Sequence, residues 1–257
     1  MFAFIRTVFA AIVTAITTTV GGIGAVVAAL MGVADNRGGI FDNTPRVWSR
    51  VTLWASGVKV TVHNPERMAG EEPRIYMSNH LSWFDIPVLA GVLPRYKFVA
   101  KAELFKVPVF GPAIRAIGMV PLDRQNRKAA FAAYDVAVGK IREGNSVVVF
   151  PEGSRGMDYP IRPFKKGPFV LAIAAGVPIV PVLTHGTHEV FAKGTLLVRS
   201  GKVDVHLLDP VPTAGLDYDA REQLAETVRA RMAEALESLY GVKSAPGKAQ
   251  LQSVQTD

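Results

Sequence analysis

With 257 residues and a formal net charge of +7, the chain is long enough for one large domain plus a terminal appendage, and 49% of it is hydrophobic. An apolar yet basic composition departs from that of a typical soluble enzyme of this size and suits an anionic membrane surface. The absence of cysteine excludes disulfides, thiolate nucleophiles and Cys-based zinc sites. The lysines and arginines are scattered, with no nucleic-acid-binding fold or aromatic-basic interleave, which argues against nucleic acid as a partner.

From Thr7 to Ala34 the chain runs 28 residues without a charge. As a helix rising about 1.5 Å per residue this stretch exceeds the roughly 30 Å hydrocarbon core of a bilayer. Gly21, Gly22 and Gly24 fall near its middle, so a tilted span and a kinked or re-entrant hairpin both fit. A secretory signal is the competing reading, with Arg6 before the run and Gly32-Val33-Ala34 resembling a cleavage site. The apolar stretch is, however, about twice a normal signal core. Pro45 to Trp54 follows with Val47, Val51 and Trp54 at helical spacing and Arg46 and Arg50 elsewhere on the wheel. The pattern suits a helix lying flat at headgroup depth and, equally, an ordinary core-facing helix.

Beyond Gly57 short β-rich runs alternate with helical stretches. Strands are predicted over 58–63, 74–77, 96–100, 118–122, 146–150, 177–183 and 203–207, and helices over 127–141, 167–175 and 220–240. The alternation predicts an α/β fold, with a central mixed, partly parallel sheet flanked by helices. The expected organisation is a membrane-associated helical segment over 1–57, a catalytic domain over 58–240 and a disordered tail over 241–257.

Chemistry is most concentrated in Ser78-Asn79-His80-Leu81-Ser82-Trp83-Phe84-Asp85, just after a predicted strand. Positions five apart diverge by about 140° on a regular helix, so His80 and Asp85 meet only if a turn intervenes. With His80 in the strand-to-helix loop, Asp85 in the first helical turn and Ser82 as a cap, the carboxylate folds back onto one imidazole nitrogen. Asp85 then fixes the tautomer and stabilises the imidazolium, leaving the other nitrogen to take a proton from a substrate hydroxyl. The alcohol would attack a thioester directly, without a protein nucleophile. A structural histidine bonded to an aspartate fits the pair equally well.

Two further strands end in a charged turn: Gly118 to Leu122 before Asp123-Arg124, and the apolar strand to Phe150 before Pro151-Glu152-Gly153-Ser154-Arg155. Ligands of α/β sheets bind at the carboxyl ends of strands, so Arg124 and Arg155 could converge on one phosphate while Glu152 holds a glycerol hydroxyl. Surface salt bridges are the plainer explanation for either arginine alone. Lys165, in Phe164-Lys165-Lys166-Gly167, has the reach for a phosphate or for a solvated helix start. His185, His188 and Glu189 lack an evident third ligand for a metal. The apolar segment from Lys101 to Gly118 fits an acyl tunnel, a membrane contact or simple core packing.

Four ordered blocks carry a resemblance: Asn79-His80 with Ser82 and Asp85, Gly118 with Arg124, Phe150-Pro151-Glu152-Gly153 with Arg155, and Val177-Pro178-Ile179-Val180-Pro181-Val182. Together they resemble the glycerolipid acyltransferase family, bacterial 1-acylglycerol-3-phosphate acyltransferase type, over about 74–185. The resemblance implies that His80 and Asp85 are catalytic and that Arg124, Glu152, Gly153 and Arg155 lie in the acceptor site, beside Asn79 and Ser82. It also implies that Pro178 belongs to a segment near the acyl donor. It further implies acyl-CoA or acyl-acyl carrier protein as co-substrate, a membrane lipid substrate and no metal or cofactor. The catalytic domain is then expected on the cytosolic face of the inner membrane, where thioester donors are made. Pro121 departs from the large apolar residue common in the second block, which touches acceptor identity. The expected reaction is acylation of lysophosphatidic acid to phosphatidic acid. The alternatives are another lysolipid acceptor, with a head group or of lyso-ornithine type, a catalytically silent lipid-binding protein, and a hydrolase. The hydrolase is weakened by the lack of a Gly-x-Ser-x-Gly elbow.

Overall fold

The computed structural model describes residues 2–246; the part of the expected tail over 247–257 lies outside the described residues. Two helices, α1 (Phe2–Leu30) and α2 (Ile40–Ser56), precede a sheet of seven strands. These are β1 (Val58–His63), β2 (Ile75–Ser78), β3 (Tyr96–Lys101), β4 (Val120–Leu122), β5 (Ser146–Val149), β6 (Ile179–His185) and β7 (Gly201–Leu207). Among the described residues six further α-helices lie between or after them: α3 (Asp85–Val92), α4 (Phe110–Ala116), α5 (Arg127–Arg142), α6 (Gly167–Ala175), α7 (Thr187–Val190) and α8 (Arg221–Tyr240). The strand order is β1-β7-β6-β2-β5-β3-β4, and every pairing is parallel except β6 with β7. The sheet is therefore mixed and mostly parallel, as expected, and each predicted strand has its counterpart.

The central strands read as continuous apolar runs because both faces are covered, which is the usual state of a parallel sheet. Successive side chains alternate between two cores. Ile75, Met77, Val147, Val149 and Ile179 pack on one face with Phe169 of α6 and Val228 and Met232 of α8. Tyr76, Val148, Phe150, Val180 and Val182 pack on the other with Val88 and Leu89 of α3.

The amino-terminal stretch forms one continuous helix over Phe2–Leu30, not a re-entrant hairpin. Its glycines are points of close approach: a Cβ on Gly22 would lie 2.8 Å from Cβ of Ala113 in α4, and one on Gly21 3.2 Å from Thr44 in α2. With α2 it makes a hairpin that lies against the domain. Trp48 donates its indole N–H to Thr18 Oγ1 at 2.9 Å, and Val198 donates its backbone N–H to Thr7 Oγ1 at 2.8 Å. The turn between the helices is tied down by charge. Buried Lys97 donates to Asp35 at 2.8 Å and to the carbonyl of Ile117 at 2.9 Å, and Arg95 donates to the carbonyl of Asp35 at 2.7 Å. The outer side of α1 exposes Phe2, Phe4, Phe9, Ile12, Ile16 and Ile23, continued by Trp54 of α2. An apolar stripe of this extent marks a surface that is covered in use.

Residues 241–246 are engaged by the domain, unlike the disorder expected of the whole tail. Ile161 donates its N–H to Ser244 Oγ at 2.9 Å, and Arg229 donates to the carbonyl of Ala245 at 2.5 Å.

Candidate active site

Four neighbouring parallel strands, β2, β5, β3 and β4, deliver His80, Arg155, Lys101 and Arg124 to one edge of the sheet. His80 lies in the loop between β2 and α3, and Asp85 opens α3. His80 Nδ1 is 2.7 Å from Asp85 Oδ2, the same oxygen that accepts the backbone N–H groups of Leu81 at 2.8 Å and Ser82 at 2.9 Å. Asp85 is fully buried, and these donors replace the lost solvent at Oδ2, while Oδ1 is buried with no hydrogen-bond partner among the described residues. An ionised carboxylate only accepts, which places the proton on Nδ1 and leaves Nε2 with a free lone pair. The ring also stacks on Phe150, with centroids 4.0 Å apart, which fixes its plane.

The backbone of His80 is held at both ends by the turn after β5. Its N–H donates to Glu152 Oε1 at 3.0 Å, and its carbonyl accepts from the N–H of Gly156 at 2.8 Å. Burial pushes the Glu152 carboxyl above its ordinary value of 4.5, and the Arg162 guanidinium, donating through Nε at 2.6 Å, pulls it back. Gly153 takes φ of +81° in this turn, a backbone conformation that disfavours side chains, and the Lys165 side chain packs over it.

A cavity of about 480 Å³ opens from His80. Arg124, Arg155, Lys101 and Lys193 supply its cations. Thr18, Gly22 and Ala25 of α1, Trp48 of α2, and Phe110, Ala113 and Ile114 of α4 supply apolar or small-residue wall. The segment from Lys101 to Gly118 thus contributes directly to the cavity. An imidazole with a free ring nitrogen, facing a space with cations and a long apolar wall, has the chemistry to accept a proton from the hydroxyl of an anionic lipid.

Not every predicted site residue reaches that space. Asn79 is buried and bridges β2 to β6, accepting from the backbone N–H of Thr184 at 2.8 Å and donating to its carbonyl at 2.9 Å. Ser82 caps the turn that leads into α3, whose immediately preceding residue is Phe84. Its Oγ accepts from the N–H of Phe84, two residues on, at 3.1 Å and donates to the carbonyl of Phe191 at 2.7 Å. Glu152 and Gly153 brace the His80 loop, and Lys165 is exposed outside the cavity lining. Pro178 precedes β6, whose far end carries Thr184, so six residues at 3.3 Å each place it about 20 Å from the Asn79 bridge. The structure does not bring Pro178 to His80. His185 is sandwiched between Tyr159 and Tyr240, at 4.3 and 3.7 Å between centroids.

Sequence reasoning did not single out Lys101 and Lys193, which line the cavity, or Arg162, which pairs with Glu152. Lys101 ends β3 at the productive edge of the sheet and was legible there. Lys193 and Arg162 sit in irregular loops with no motif to single them out.

Fold and site together define an α/β protein with a histidine-aspartate pair at the strand exits and a helical hairpin walling an apolar cavity. The family profile described as Acyltransferase matches residues 59–185. It is 31% identical over 188 residues to "1-acyl-sn-glycerol-3-phosphate acyltransferase BAT2, chloroplastic" of Brassica napus, covering 71% of this chain and 54% of that one. It is 35% identical over 178 residues to the human 1-acyl-sn-glycerol-3-phosphate acyltransferase alpha, covering 68% and 63%. The 1-acyl-sn-glycerol-3-phosphate acyltransferase of Borreliella burgdorferi is 28% identical over 196 residues, covering 76% and 78%. The chain thus spans only about half the length of the Brassica relative. The crystal structure of the 1-acyl-sn-glycerophosphate (LPA) acyltransferase PlsC from Thermotoga maritima superposes with a TM-score of 0.79 at 26% identity, covering 94% of this chain and 98% of that one.

Proposed function

We propose that this chain transfers an acyl group from a thioester donor to lysophosphatidic acid, giving phosphatidic acid. His80 acts as general base and Asp85 orients it. The observation that carries this reading is the 2.7 Å contact between His80 Nδ1 and a buried carboxylate, beside a cavity that is both cationic and apolar. The acceptor hydroxyl gives its proton to Nε2 as its oxygen attacks the thioester carbonyl. The carbon–sulfur bond then breaks, and the leaving thiolate takes the proton back from the imidazolium. Arg124 and Arg155 bind the acceptor phosphate through charge-assisted hydrogen bonds, with Lys165 as a more distant cation. Asn79, Ser82, Glu152 and Gly153 hold the site in shape. The apolar wall built by α1, α2 and α4 receives an acyl chain. The donor is acyl-CoA or acyl-acyl carrier protein, and no metal or prosthetic group takes part.

The exposed stripe of α1 and Trp54 seats the hairpin in an anionic membrane surface, and the domain faces the cytosolic side of the inner membrane. Purified protein assayed against lysophosphatidic acid, head-group lysophospholipids and lyso-ornithine lipid, with both donor types, tests the reading. Preference for lysophosphatidic acid supports it, and preference for another lysolipid transfers the same chemistry to that acceptor.

A further inference from the structure

Arg162 does not itself line the cavity, yet it stands two bonds of a hydrogen-bond chain from the reacting residue. Its Nε donates to Glu152 Oε2 at 2.6 Å, while Glu152 Oε1 accepts the backbone N–H of His80 at 3.0 Å. The guanidinium is further fixed by Ser154, donating to its Oγ at 3.3 Å and to its carbonyl. Its own backbone is anchored next door. Ile161 is buried in the core, its N–H bound to Ser244 Oγ at 2.9 Å and its carbonyl accepting from Arg229 at 3.1 Å. Glu152 has a side chain only 2% exposed, and among the described residues Arg162 is its one salt-bridge partner.

A carboxylate buried to this degree stays ionised and oriented only with a counter-ion in place. Bound by a cation at one oxygen and by an amide at the other, it transmits the position of the first to the second. We propose that Arg162 is a positioning residue for the acyl transfer. Through Glu152 it fixes the loop that aims the His80 imidazole, a role distinct from that of the phosphate-binding arginines. This inference rests on His80 being the general base. Because burial already raises the Glu152 carboxyl, removal of the guanidinium raises it further, and the carboxylate is then protonated at a pH where the native protein keeps it charged.

The test compares Arg162→Met and Arg162→Lys with the native full-length protein by steady-state kinetics across pH and by hydrogen–deuterium exchange of the segment 78–84. Arg162→Met is expected to lower kcat about tenfold to a hundredfold, with the acceptor KM within about twofold. The acidic limb of its kcat profile moves to higher pH, the His80 amide exchanges faster, and Arg162→Lys recovers most of each loss. If exchange and pH profile match the native protein, or if lysine rescues no better than methionine, the proposal is overturned. A raised acceptor KM at unchanged kcat would make Arg162 a substrate ligand instead. Should the native protein prefer another lysolipid, the same comparison is made on that acceptor. The exchange measurement needs no substrate, so it judges the Arg162 chain apart from the choice of acceptor.

Discussion

At the His80 end of the cavity, a side chain and two backbone amides converge on one oxygen of Asp85, and Glu152 and Gly156 grip the backbone of the same histidine. At the α1 end the wall is made by small residues and shape: Gly22 lies against Ala113, and Ala25 and Ala28 pack with Ile117 and Phe41. The first region is over-determined by directional bonds, so one deletion leaves buried donors unpaired and displaces a reacting atom. The second is held by non-directional packing, so a change there alters volume and docking before it alters chemistry.

That contrast ranks the expected effects. Asp85→Asn removes the charge that stabilises the imidazolium while roughly keeping the shape. It should lower kcat by about a hundredfold to ten-thousandfold at pH 7, in a transfer assay where acceptor KM changes little. Arg155→Ala deletes a cation from the cavity without touching the base, and should raise acceptor KM by about tenfold to a hundredfold with a smaller change in kcat. A larger drop in kcat than rise in KM would mean that the two functions are not separable along the cavity. Gly22→Val forces a side chain into Ala113 and should destabilise the hairpin docking by about 1–3 kcal/mol, read as a lowered Tm in detergent. Gly24→Val is the control, because nothing lies within 4 Å of a Cβ there. Equal melting of the two variants would show that α1 is not packed as described.

The same contrast explains what was legible in the sequence. The strands were visible because β2, β5 and β6 are buried on both faces and so read as unbroken apolar runs. His80 and Asp85 were visible because a five-residue separation demands a turn, and the structure supplies one. The glycines of α1 left a tilted span and a kinked or re-entrant hairpin both open in the sequence. A glycine that breaks a helix and one that admits a neighbour look alike in a sequence, and only the position of α4 separates them. The helix α4 was read merely as an apolar segment, since its seven residues include Gly111 and Pro112 and are too few to display a period. Pro178 was assigned by resemblance to a segment near the acyl donor, and it stands just before β6, at the opposite end of that strand from Thr184. Arg162 had no signal, because its partner Glu152 lies ten residues away across an irregular loop.

Formation of phosphatidic acid from lysophosphatidic acid and an acyl thioester, by native protein and by His80→Ala at equal folded concentration, tests the account most directly. The account predicts robust transfer by the native protein and a loss of at least about a hundredfold in the variant, with unchanged Tm and unchanged membrane binding. Transfer by His80→Ala at the native rate would contradict it.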